Sequence, residues 1–136
     1  MKPGMEVGRS ASIEIKVEPD MFAQFEGRVV HEAYSTVSMV YHMEWASRQI
    51  ILPYLEDHEE GIGGSVEVKH IAPSAAGTKV KVTAVLTEIR GNKIITETEA
   101  RNEAGVIGAG KVIQVIMPKA KIGEKLAQSA EADKRL

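Results

Sequence analysis

Cysteine is absent from all 136 residues, which removes disulfides, thiolate nucleophiles and cysteine metal sites at once. Aromatic residues are scarce, one Trp, three Tyr and two Phe, so the core has to be mostly aliphatic. Neither sign of charge dominates. Seventeen Lys and Arg against nineteen Asp and Glu leave a net charge of −2, and no global basic field invites nucleic acid. Long apolar runs are missing as well. None approaches the ~18 residues of a membrane span, and Met1-Lys2-Pro3-Gly4-Met5 lacks the apolar run of a signal peptide. These absences fit a cytoplasmic protein. The remaining composition, 43% apolar and 26% charged, is that of a globular chain, and the length fits a single domain over residues 1–136. A small domain with so few aromatics often gains stability from a partner subunit.

The periodicity then assigns elements. Ile13, Ile15 and Val17 share one face of a strand over Ala11–Val17, with Glu14 and Lys16 on the other, and Pro19 stops it. Met21–Tyr34 reads as a short helical turn at Met21–Phe25 and a short strand near Val29–Val30. Ser35 or Thr36 suits a helix N-cap. Val37, Val40, Tyr41, Glu44, Trp45, Ile51, Leu52 and Leu55 recur at spacings of three and four, which predicts one long helix to about Leu55 with Pro53 near its end. Glu56–Glu60 with Gly61, Gly63 and Gly64 reads as a loop. Alternating strands follow at Ser65–Ile71, Thr78–Ile89, Lys93–Arg101 and Val106–Met117, with turns at Arg90-Gly91-Asn92 and Asn102–Gly105. Gly108 and Gly110 within the last strand suggest a bulge or a close backbone approach. Residues 119–136 form a polar surface helix or tail.

One long helix followed by four strands in meander-like succession cannot leave both apolar faces in water. The sheet has to fold over the helix. The expected class is therefore α+β, a curved antiparallel sheet around one central helix, which is the hotdog arrangement.

Three side chains stand out. Glu44 lies on an apolar helix face, where burial beside Trp45 would push a carboxyl group up. His70 ends an alternating strand, and an imidazole ordinarily titrates near neutrality. Thr36 precedes Glu44 by eight residues. Carboxylate, imidazole and hydroxyl together make a hydrolytic set. Each also has a plainer explanation: an exposed helix glutamate, a surface histidine, an N-cap threonine. Glu44 suits a general base, a direct nucleophile or an orienting group. Gly63 and Gly64 permit close approach of a ligand, and one of their N–H groups could serve an oxyanion. His31, His42 and His58 have no defensible metal-ligand spacing, and Gly108-Ala109-Gly110 sits inside a strand, the wrong place for a nucleotide fingerprint.

Several stretches carry a family resemblance. They are Gly4-Met5 with Val7-Gly8, Met43-Glu44-Trp45-Ala46, Pro53-Tyr54-Leu55-Glu56, the glycines before Ser65, His70 with Ala72 and Gly77, and Ile107-Gly108-x-Gly110. Over residues 4–117 the chain resembles the hotdog-fold acyl-CoA thioesterases, the fluoroacetyl-CoA thioesterases in particular. Thr36, Glu44 and His70 match that family's catalytic residues at the same spacings, 8 and 26 residues. Gly63 falls on the glycine near the thioester carbonyl. The resemblance implies hydrolysis of a small acyl-CoA to the free acid and coenzyme A. It implies no cofactor beyond the coenzyme A of the substrate, and a homodimer or a dimer of dimers. The chain departs from the family between Pro19 and Tyr34, where no phenylalanine lid can be matched, and at Gln114, where an arginine is expected. The alternative is a non-catalytic acyl-CoA-binding module, and an enoyl-CoA hydratase is disfavoured because no Asp-x-x-x-x-His arrangement is present.

Overall fold

A computed structural model describes residues 1–135. The chain runs β1 (Ser10–Lys16), β2 (Phe22–Phe25), β3 (Arg28–Tyr34), α1 (Thr36–Ile51), β4 (Glu59–His70), β5 (Lys79–Arg90), β6 (Lys93–Asn102), β7 (Gly105–Pro118) and α2 (Lys119–Asp133). Five strands make one antiparallel sheet in the order β1-β5-β6-β7-β4, and α1 packs against all five. This is the expected helix-in-sheet architecture. The meander covers only β5, β6 and β7, since β4 crosses to the far side of β7 and becomes an edge strand.

The core sits between α1 and the concave sheet face. Met39, Met43, Ala46 and Ile50 recur at three- and four-residue spacing and meet Val80, Val82, Ala84 and Leu86, every second residue of β5. Ile94 and Val112 complete the floor. Burying each of the Met, Val, Leu and Ile side chains among these contributes about 1.5–3 kcal/mol. The methionines fit because the sheet makes room for them: Met39 Sδ fills the space a Cβ on Gly108 would need, and Met43 Sδ lies 3.0 Å from the Cβ position of Gly110. The two glycines thus mark a close approach of the helix, and Glu67 O of β4 also crowds Gly110.

Three local expectations are corrected. The segment before α1 holds a 3-10 turn at Pro19–Met21 and then a hairpin of β2 on β3, without the expected helical turn at Met21–Phe25. Pro19 opens the turn with its φ already set, and Phe22 starts a strand that buries its ring. Helix α1 ends at Ile51, and Pro53 sits in a separate 3-10 turn, Leu52–Tyr54, because it has no N–H to continue the helix. The glycines after Glu59 belong to β4 and not to a loop. They are paired with β7, and Gly61 is a glycine because Ile51 of α1 already occupies the space its Cβ would take.

The apolar helix face singled out from sequence is also not the core face. Val37, Tyr41 and Trp45 are 75%, 64% and 43% exposed and form a stripe on the outer side of α1. At the other end of the chain α2 is a surface helix with no buried residue. No described helix is long and apolar enough to cross a membrane.

Candidate active site

The N-terminus of α1 is capped by Ser35, whose Oγ accepts from the Ser38 backbone N–H at 3.0 Å. That cap releases Thr36, the first helical residue, from the role its position suggested. β4 ends at His70, opposite Gly108 of β7. Its imidazole thereby reaches the start of α1, where Thr36 Oγ1 and His70 Nδ1 are 2.8 Å apart. His70 Nε2 is enclosed without a hydrogen-bond partner. The edge of the Tyr34 ring meets the imidazole at 6.4 Å between centroids and 70° between planes. Tyr34, Thr36, His70 and Ala72 line an open cleft of about 510 Å³. Unpaired N–H groups in the first turn of α1 favour negative charge there.

Glu44 stands two helical turns further on, about 12 Å along the axis. It occupies a second cleft, of about 250 Å³, with Tyr41, Trp45, Arg48, Gly61, Gly63 and Gln114. Its Oε2 lies 3.5 Å from the position a Cβ on Gly63 would take, an ordinary contact distance that puts the carboxylate beside the Gly63 backbone. Glu44 is on the exposed side of α1, and the burial expected beside Trp45 is absent. Within one chain, then, Thr36 is joined to His70 and Glu44 shares a cleft with Gly63, but the two pairs face different clefts. Gly64 is unlike Gly63. It lies where the β4–β7 register shifts, and its Cβ direction points at Val115 and Ile113, on the face of the sheet away from α1.

The second cleft has its own ion pair. Arg48 Nη1 and Glu60 Oε2 are 2.9 Å apart, and that hydrogen bond, with a further one from the Gly61 N–H, holds the Glu60 carboxyl below its ordinary range. Between the clefts lies a buried pair that sequence reasoning passed over. Tyr34 Oη and His42 Nδ1 are 2.7 Å apart, with the rings stacked. Burial pushes the Tyr34 phenol up and holds the His42 imidazole down, the latter partly opposed by Asp20. Tyr34 lies at the end of a segment with no clear period, and a contact between it and a helix residue eight positions on carries no spacing signal. Among the described residues no group of three or more His, Asp or Glu could hold a metal ion.

Comparison with known proteins follows the same lines. The sequence profile of the fluoroacetyl-CoA-specific thioesterases matches residues 17–120. The fluoroacetyl-CoA thioesterase of Streptantibioticus cattleyicolor is 30% identical, covering 97% of this chain and 99% of that protein. A crystal structure of a thioesterase superfamily member from Thermus thermophilus superposes with a TM-score of 0.93 at 41% identity, over 98% of this chain and 99% of the other. A Thr-to-Ser variant of a fluoroacetyl-CoA thioesterase in complex with acetyl-CoA superposes with a TM-score of 0.85 at 27% identity, over 92% and 98% of the two chains.

Proposed function

The chain belongs to the fluoroacetyl-CoA-specific thioesterase family and is an acyl-CoA thioester hydrolase, and we propose that Thr36, Glu44 and His70 carry out the hydrolysis on a small acyl group. The observation that carries this reading is the 2.8 Å contact of Thr36 with His70 at the start of α1. The thioester carbonyl would lie against the helix N-terminus and the Gly63 backbone N–H, donors suited to the charge that develops on its oxygen. Water attacks the carbonyl carbon and gives its proton to Glu44. The carbon–sulfur bond then breaks, and the departing thiolate takes a proton from His70, which Thr36 holds in orientation. Gly63 keeps the backbone close enough for this. Gly64, turned to the other sheet face, serves as the flexible residue of the bulge that sets the Gly63 orientation.

Glu44 and the Thr36–His70 pair meet through a second subunit. β4 is an edge strand, and the stripe of Val37, Tyr41 and Trp45 beside it is exposed apolar surface. Antiparallel pairing of two β4 strands about a two-fold axis reverses one against the other. His70, at the end of one β4, then lies toward the Gly61 end of its mate, beside the partner subunit's Glu44 cleft. The active unit is a homodimer with composite sites, working in the cytoplasm without a cofactor of its own.

The test is release of free thiol from a panel of short, branched, aromatic and halogenated acyl-CoAs by wild type, Glu44→Ala and His70→Ala. Turnover that is lost in both variants, with their melting transitions intact, is the expected result. Binding of acyl-CoA without turnover by wild type would instead identify a binding module.

A further inference from the structure

One side chain of the Glu44 cleft has a hydrogen bond left unmade. Gln114 stands on β7 opposite Gly63, and its strand neighbours Val112 and Ile116 are core residues facing α1. It is 6% exposed, and its Nε2 is enclosed without a partner. Its Oε1 lies 3.8 Å from the Cβ position of Gly61, another residue of the same cleft. A buried amide with an unmade bond is a net cost to the fold, and an apolar side chain of the same size would avoid it. The position therefore serves something other than stability. Turning the amide about its last torsion exchanges oxygen and nitrogen without moving any other atom, so Gln114 can offer the cleft an acceptor or a pair of donors.

A hydroxyl group satisfies either orientation, because it donates and accepts. A carboxylate does not fit. Glu44 already places a negative group in the cleft, and its cation, Arg48, is held by Glu60 at 2.9 Å. The cleft, about 250 Å³ in the single chain, has room for a small acyl group. We propose that Gln114 selects short hydroxyacyl thioesters by hydrogen bonding the acyl hydroxyl inside the Glu44 cleft. This rests on the reading of that cleft as the acyl site.

The experiment compares kcat/KM of wild type for propionyl-CoA, 2-hydroxypropionyl-CoA, 3-hydroxypropionyl-CoA and malonyl-CoA with that of Gln114→Leu and Gln114→Met. One neutral hydrogen bond is worth roughly a tenfold preference. Wild type should favour one of the hydroxyacyl substrates over propionyl-CoA by at least that factor and turn over malonyl-CoA least. Both variants should lose the hydroxyl preference while keeping a wild-type melting transition. Hydrolysis of propionyl-CoA by wild type without a hydroxyl preference overturns the inference and leaves the thioesterase reading standing, as does a preference that survives in both variants. No hydrolysis of these or of the wider panel overturns both.

Discussion

Tyr34 Oη and His42 Nδ1 share a hydrogen bond of 2.7 Å in an interior where the two residues are 2% and 4% exposed. Burial keeps the phenol protonated and the imidazole neutral. Because the folded His42 pKa is depressed, the unfolded chain binds the extra proton first as pH falls. Stability is complete above the unfolded value of about 6.5 and is lost as pH falls from there toward the folded value. Replacing His42 by Leu should flatten the fall of Tm between about pH 7.5 and pH 5. Melting curves at half-unit pH steps would test it. An unchanged slope in His42→Leu would remove His42 as the source.

Ser35 and Thr36 are adjacent and should separate cleanly. Ser35→Ala removes the cap and should cost about 1 kcal/mol of stability. Thr36→Val keeps shape but leaves His70 Nδ1 without its partner, and kcat should drop about a hundredfold with little change in Tm. Denaturant titration and thiol release, run on both variants, give the two readouts. A Thr36→Val enzyme with wild-type turnover would remove the hydroxyl from the mechanism.

The proposal of composite sites makes a mixing prediction. Glu44→Ala and His70→Ala subunits should each be inactive alone. After co-refolding, a mixed dimer has one doubly altered site and one intact site. With half the dimers mixed, about a quarter of wild-type activity should return. No recovery would place all three groups in sites made by single chains.

The stripe on α1 tests the proposed assembly. Val37→Glu puts a charge in the surface proposed to be covered and should shift sedimentation from dimer to monomer. A wild-type sedimentation profile for this variant would move the interface elsewhere.

Gly110 and Gly108 both adjoin the methionines of α1 but should not tolerate substitution equally. A Cβ on Gly110 would sit 2.5 Å from the Glu67 carbonyl oxygen, a backbone atom, and 2.9 Å from Thr98 Oγ1. At Gly108 the nearest atoms are the flexible end of Met39. Gly110→Ala should cost about 2–3 kcal/mol and Gly108→Ala about 1. Urea midpoints would order them, and the reverse order would refute the distinction.

Most of the sheet was legible because β5 alternates from Lys79 to Leu86, with Val80, Val82, Ala84 and Leu86 buried in the core. The glycine-bearing start of β4 was not. Gly61, Gly63 and Gly64 carry turn chemistry in any local reading, and the reason for a glycine at 61 is non-local: Ile51 on α1 fills the space its Cβ would take. Helix α1 was legible as a helix but not in its orientation. It has apolar residues on two sides, and periodicity cannot tell which side a sheet will cover. Thr36 and His70 are 34 residues apart, and their contact depends on the β4–β7 register, a non-local property. Gln114 was visible as a departure from the family, but its unmade hydrogen bond belongs to the packed interior.

Thr36 and Glu44 are borne on one rigid rod, and that makes α1 a ruler. One residue inserted between them would rotate Glu44 by about 100° and lengthen the interval by about 1.5 Å, turning a core methionine outward at the same time. The hairpin tip at Glu26-Gly27 and the turn at Gly91 are free of that constraint, since no Cβ at either glycine would touch anything. Changes in chain length should therefore collect at those turns during divergence, while the eight-residue interval stays fixed even where its intervening side chains change.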